Sequence, residues 1–262
     1  MDWSKTKTIF IITFLLLNIF LGMQISEKRD NNRLEFISEA SIEEQFVVDE
    51  ISYGELPKSP VKESYISGKS YRFTEEDVTK LVEKEQMAEI VQETKIVGMF
   101  KEPIPVSETN LTTQMNQLLK DQILYGNQYT FWGYSEESNT LTFFQNHNNE
   151  LIYSNESGML RLMLDEENNI LSYEQTLITE LEEMDEAKEL ITAFDALENL
   201  YNFNELTPGS EAKVEFGYFT LVQYANSHVL TPTWHIVVND EQDFFVNAFE
   251  GQIIRKENRT LE

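Results

Sequence analysis

The chain has no cysteine, only three histidines, and 20 Lys+Arg against 46 Asp+Glu. Without cysteine there is no zinc ribbon, iron–sulfur site, thiol nucleophile or disulfide framework. The shortage of basic residues leaves a formal charge of −26. That is the wrong sign for nucleic-acid binding, which needs clustered Lys and Arg. Aromatics, by contrast, are plentiful at 12%. An acidic disordered tail lacks them, so the charge belongs to a folded body. The 262 residues suit one large domain or two small ones.

Motifs of chemistry are equally sparse. His147, His228 and His235 occur in no metal-binding spacing, and each reads as a surface or edge residue. Gly68-Lys69-Ser70 resembles the end of a phosphate loop, but the glycine required five positions earlier is Glu63. Asp165, Glu167 and Asn169 have the odd-numbered spacing of a calcium loop, yet Ile170 stands where the bend needs glycine. These residues read as a hairpin turn. No Gly-x-Ser-x-Gly elbow is present. Close carboxylate pairs arise from composition alone. The acidic run Glu180 to Glu189 reads as a loop and a helix start, where acids suit the positive end of the helix dipole. No catalytic residue, metal or cofactor is expected. Asn110, Asn155 and Asn258 open Asn-x-Ser/Thr sequons.

What is there begins at the N-terminus. Ile9 to Ile25 is a run of seventeen uncharged residues. As a helix it spans roughly 26 Å, enough for a slightly thinned bilayer. Gly22-Met23-Gln24-Ile25-Ser26 offers no pair of small residues for signal cleavage, so residues 8–25 read as an uncleaved anchor behind a short head at 1–7. Lys5 and Lys7 precede the span, and Lys28, Arg29 and Arg33 follow it, so local charge leaves its orientation open. Asn18 and Gly22 lie one turn apart, on one face with Ile11 and Leu15. An amide seeks a partner in lipid and glycine permits close approach, so this face is a candidate helix–helix contact. The first thirty residues hold four Lys/Arg and three Asp/Glu, leaving 16 basic and 43 acidic residues beyond them. The acidic excess therefore lies wholly outside the span.

Residues 26–50 read as a stalk. Thr74 caps a helix running to about Gln86, with Phe73 and Val78 as a hydrophobic staple. Residues 88–100 read as one strand, broken by Pro103 and Pro105. Ser107 caps a second helix to about Leu124, in which Leu111, Met115, Leu118 and Leu119 form one stripe. Strands follow near 127–134, 139–146, 158–164 and 170–178. A third helix is expected from Asp185 to Asn202, on the spacing of Ala187, Leu190, Ile191, Phe194 and Leu197. Strands follow near 211–224, 232–239, 243–249 and 252–256. The fold class is α+β, with two subdomains at 51–180 and 181–262, each an antiparallel sheet with a helix on one face.

The opening Met1-Asp2-Trp3-Ser4-Lys5-Thr6-Lys7-Thr8-Ile9-Phe10 resembles the start of the YycI (WalI) family. So do Ile170-Leu171-Ser172-Tyr173-Glu174-Gln175-Thr176, Pro208-Gly209-Ser210-Glu211, Phe216-Gly217-Tyr218-Phe219, Pro232-Thr233-Trp234 and Asn247-Ala248-Phe249-Glu250-Gly251-Gln252. The resemblance spans nearly the whole chain and is weak over residues 30–100. It implies a single-pass membrane protein of low-GC Gram-positive bacteria, N-terminus inside and main domain outside. It also implies a non-catalytic role beside YycH on the sensor histidine kinase YycG (WalK), in the control of cell-wall metabolism. The acidic domain would then suit a basic patch on a partner.

Two other classes fit the same residues: a tethered carboxylate hydrolase, and an extracytoplasmic module binding wall fragments or peptides. A homo- or heterodimer is compatible with each.

Overall fold

The computed structural model describes residues 3, 7, 11, 13–15, 17–18, 42–58, 62–106 and 111–254. They fall into two units, Met1–Ser52 with Leu206–Ser210, and Tyr53–Glu205 with Glu211–Glu262.

In the smaller unit residues 42–48 are helical, with Ile42 and Phe46 buried. The expected stalk is thus helical at its end, while residues 26–41 lie outside the described residues. Gly209 N–H donates to Asp49 O at 2.7 Å, and Ser52 N–H to Ser210 O at 2.9 Å. The first strand, β1, is Ser52–Tyr53.

In the larger unit, Thr74 caps α1 (Glu75–Glu83). Its hydroxyl accepts from Asp77 N–H, and the Asp77 side chain accepts from Thr74 N–H, which is the reciprocal capping box. Gln86–Val91 (β3) and Lys95–Pro105 (β4) form an antiparallel hairpin where one strand was expected. The turn places Gln92 and Glu93 at φ 57° and 60°. That conformation normally calls for Gly or Asn, so the sequence gives no turn signal there. Nor do the prolines end β4. A break in register between Met99 and Ile104 takes up Pro103, and pairing resumes at Ile104 and Pro105.

After α2 (Leu111–Gln122) come β5 (Tyr129–Ser135), β6 (Thr140–His147), β7 (Glu150–Tyr153), β8 (Met159–Leu164) and β9 (Asn169–Thr176). The antiparallel order β3-β4-β9-β8-β6-β5 makes one sheet. Its inner face buries Ile96, Phe143, Leu160, Leu162, Ile170 and Tyr173. These pack with Leu81 of α1 and with Met115, Leu118 and Leu119 of α2. Each such aliphatic or aromatic side chain contributes about 1.5–3 kcal/mol.

Ile178–Glu189 is a strand, β10, where a loop and helix start were expected. Glu, Ala, Met and Lys favour helix locally, but pairing with β2 (Lys62–Ser70) overrides that preference. Two breaks in register bend β10, and Glu180 and Asp185 there have φ of 52° and 58°. The third helix, α3 (Ala193–Asn202), begins later, on a Thr192/Asp195 capping box. β11 (Glu211–Tyr224), β12 (Ser227–Val238), β13 (Gln242–Asn247) and β14 (Ile253–Ile254) complete the chain.

These strands form a second sheet, in the order β10-β2-β12-β11-β7, with β13 and β14 beyond β12. Trp234 is fully buried, donating from Nε1 to Ile191 O at 3.1 Å and meeting Phe216 edge-on. The fold is α+β as expected, and its strands do not separate into two chain segments. Position 180/181 lies inside β10, and β2 and β7 hydrogen-bond with strands of the C-terminal half. β7 pairs in parallel with β11 and antiparallel with the end of β6, which joins the two sheets.

Candidate functional site: a polar cleft on an open sheet face

Strand alternation determines what the first sheet shows on the face away from α1 and α2. One row reads Met87, Met99, Ser172, Met163 across β3, β4, β9 and β8. The next reads Glu89, Val97, Glu174, Arg161. Met87 and Met99 are 63% and 49% exposed. No helix covers these rows among the described residues.

At one end of this face lies a cleft of about 330 Å³. Its floor is Lys95, Arg161 and Glu174, and one wall is the turn Ser154-Asn155-Glu156-Ser157. Thr220 and Gln223 of β11 line it beside that turn. The turn is held in place rather than loose. Buried Asn155 donates to Thr220 Oγ1 and accepts from Ser157 N–H at 2.8 Å. Thr176 Oγ1 donates to Glu156 O at 2.7 Å, and Gln223 Nε2 donates to Ser157 Oγ at 3.3 Å. Ser154 sits at φ 51°, with its buried hydroxyl unpartnered. Asn155, one of the sequons, is therefore committed to the interior.

The charges in the cleft are unevenly matched. Arg161 stands directly across from Glu174, but the Glu174 carboxylate is taken by Lys95 at 3.3 Å. Among the described residues no carboxylate pairs with Arg161. In a chain with so large an acidic excess this is a conspicuous free guanidinium, with its planar set of donors facing a cleft.

The histidines are placed otherwise than expected. His228 and His235 are buried, at 1% and 2% exposure, and are not surface or edge residues. His235 lies 2.6 Å from Asp243 Oδ1 and 3.6 Å from Glu215 Oε2. Phe245 stacks on its ring, and Trp132 and Tyr153 flank it. The nearby His235 ring holds Glu215 below the usual carboxylate range, against the opposing effect of burial. His228 Nε2 is 2.8 Å from Ser70 Oγ, but Nδ1 has no partner, so no carboxylate orients the ring for nucleophilic catalysis. Burial lowers the pKa of both His228 and His147.

The rejected motifs fall where their rejection implies. Gly68-Lys69-Ser70 ends strand β2. The Asp165 carboxylate accepts from Glu167 N–H, Asn169 N–H and the Asn169 amide. These bonds, the Asn169 side chain foremost, lower its pKa and close a hairpin turn. Among the described residues no three His, Asp or Glu side chains cluster as metal ligands.

Of the proposed membrane face, Ile11, Leu15 and Asn18 are helical, while Gly22 lies outside the described residues. Ile11 and Leu15 are exposed, and Asn18 Nδ2 donates to Phe14 O at 2.9 Å within its own helix. Among the described residues no helix is long and apolar enough to cross a membrane. Much of the apolar run, including residues 19–25, is not among them.

These features define an α+β protein with two joined, mostly antiparallel sheets, an open sheet face and a polar cleft. The chain belongs to the YycI family: the YycI protein profile matches residues 31–249. No curated protein matches it. Among solved structures it is similar to an uncharacterized protein from Eubacterium rectale, at 11% identity and TM-score 0.45, covering 79% of this chain and 90% of that one. The Bacillus megaterium YpeB C-terminal domain matches at 12% identity and TM-score 0.42, covering 72% of this chain and all of that one. YycH from Bacillus subtilis matches at 13% and 0.40, covering 75% of this chain and half of YycH.

Proposed function

We propose that this chain is a non-catalytic, membrane-anchored regulator of the sensor histidine kinase YycG (WalK), acting together with YycH. The family match over residues 31–249 is the observation that carries this reading. Residues 8–25 are the single anchor, the N-terminus is cytoplasmic and the sheets are extracytoplasmic. The helix face of Ile11, Leu15, Asn18 and Gly22 contacts partner helices in the bilayer, and the outer domain adds a second contact.

A membrane pull-down of the tagged full-length chain tests this, with an anchor-deleted chain as control. Recovery of the kinase and YycH only with the anchor present supports the reading. Recovery of neither with the intact chain refutes it. Changing Asn18 and Gly22 to Leu is expected to weaken both recoveries. Unchanged recovery removes the helix-face part alone.

A further inference from the structure

We propose that the cleft floored by Arg161 is a binding site for the carboxylate end of a short peptide of small residues. The guanidinium presents five donors in a planar fork, a geometry that matches a carboxylate with two parallel hydrogen bonds. Arg161 lines the cleft, and its cross-strand neighbour Glu174 is already engaged by Lys95. The fork is left for a ligand.

The rest of the lining selects among anions. Glu156 and Glu174 stand beside the fork. They disfavour a phosphate dianion, whereas a peptide brings one negative charge and, when short, an ammonium group for a carboxylate to hold. Gln92, Thr94 and Gln223 supply the amide and hydroxyl groups that a peptide backbone needs. The lining contains no aromatic residue. It therefore offers no stacking platform for a nucleobase or sugar ring. A volume of about 330 Å³ suits a small ligand. This site stands apart from the membrane contacts, so its failure leaves the kinase reading untouched.

The test is saturation-transfer NMR on the full-length chain in detergent micelles, with Ala-Ala-Ala, its C-terminal amide, its N-acetyl form and inorganic phosphate as probes. The free acid is expected to bind, and the amide to bind about tenfold or more weakly. Arg161→Gln should reduce the acid to the amide's affinity, and Arg161→Lys should fall between. Ser157→Phe, which fills the cleft and leaves Arg161 in the chain, should abolish binding, with unchanged circular dichroism showing that all three variants fold. Weaker binding on N-acetylation identifies a free peptide as the ligand. Equal binding identifies the C-terminus of a longer chain. Equal affinity of acid and amide, displacement by equimolar phosphate, unaltered binding by Arg161→Gln, or no transfer from any probe would each overturn the assignment.

Discussion

Replacing Asp77 with Asn tests how the first helix is held on its sheet. Asp77 is 1% exposed, and its Oδ2 accepts from Thr74 N–H at 3.0 Å, the Thr74 hydroxyl at 2.9 Å and the Tyr71 hydroxyl at 3.0 Å. Lys80 Nζ lies 3.6 Å from Oδ1. Burial alone would raise the carboxyl's pKa. The Thr74 and Tyr71 hydrogen bonds and the Lys80 charge outweigh it, and the pKa is lowered from its ordinary 3.8.

Asparagine keeps the shape and one acceptor oxygen, but turns three charge-assisted bonds into neutral ones, about half as strong, and points an N–H₂ at Lys80. It also removes a negative charge from the helix N-terminus, worth about 0.5–1 kcal/mol. The expected loss at neutral pH is about 2–3 kcal/mol. Urea unfolding followed by circular dichroism measures it. Because the folded pKa lies below the unfolded one, the carboxylate's stabilisation is complete above about pH 4–5 and is lost as pH falls through the folded value. The gap between the native chain and Asp77→Asn should therefore shrink on acidification and close once pH has passed below the lowered folded value. A gap below about 0.5 kcal/mol at pH 7, or one undiminished by acidification, would refute the reasoning.

Gln145 is fully buried. Its amide receives Ile178 N–H at 2.8 Å and donates to Ile178 O at 2.7 Å, acting as one rung of a ladder between β6 and β10. Gln145→Met should cost about 2–5 kcal/mol by stranding both groups, read as a lower urea midpoint. A Cβ on Gly126 would sit 1.8 Å from the Leu119 carbonyl oxygen, a backbone atom, so Gly126→Ala should cost about 3 kcal/mol or more in the same assay. Glu215→Gln should lower the melting temperature at pH 6. With its folded pKa depressed by His235, that difference should begin to shrink as pH falls below the ordinary 4.5 and vanish once pH passes the lowered folded value. A difference that persists in acid would remove the His235 pairing.

Local sequence carried much of the secondary structure. Thr74 and Asp77 announce α1 because a capping box is a four-residue event. The Asp165–Asn169 turn and the strands beside it are legible for the same reason, as is β11, whose bounds match the expectation. The third helix start was misread because Glu180 to Glu189 favours helix locally and strand only once β2 lies beside it. β7, four residues long, exists because β6 and β11 flank it.

The sequence offers the helix face of Ile11, Leu15, Asn18 and Gly22 as an expectation, because apolar length and a polar notch are local properties. The cleft is not legible there. Arg161, Glu174, Lys95, Asn155 and Gln223 carry no motif, and their spacing in the chain says nothing of their meeting.

By itself, then, the sequence determined the exclusions, the acidic excess beyond residue 30, the α+β class and the family. Each follows from composition, short-range periodicity or a string of motifs. Only the tertiary structure decided that β2 and β7 pair with strands of the C-terminal half, that two of the histidines are buried, and that, among the described residues, no carboxylate pairs with Arg161. Those outcomes depend on long-range strand register. Register places Glu174 across from Val97 and Arg161 and diagonal to Lys95, which holds its carboxylate.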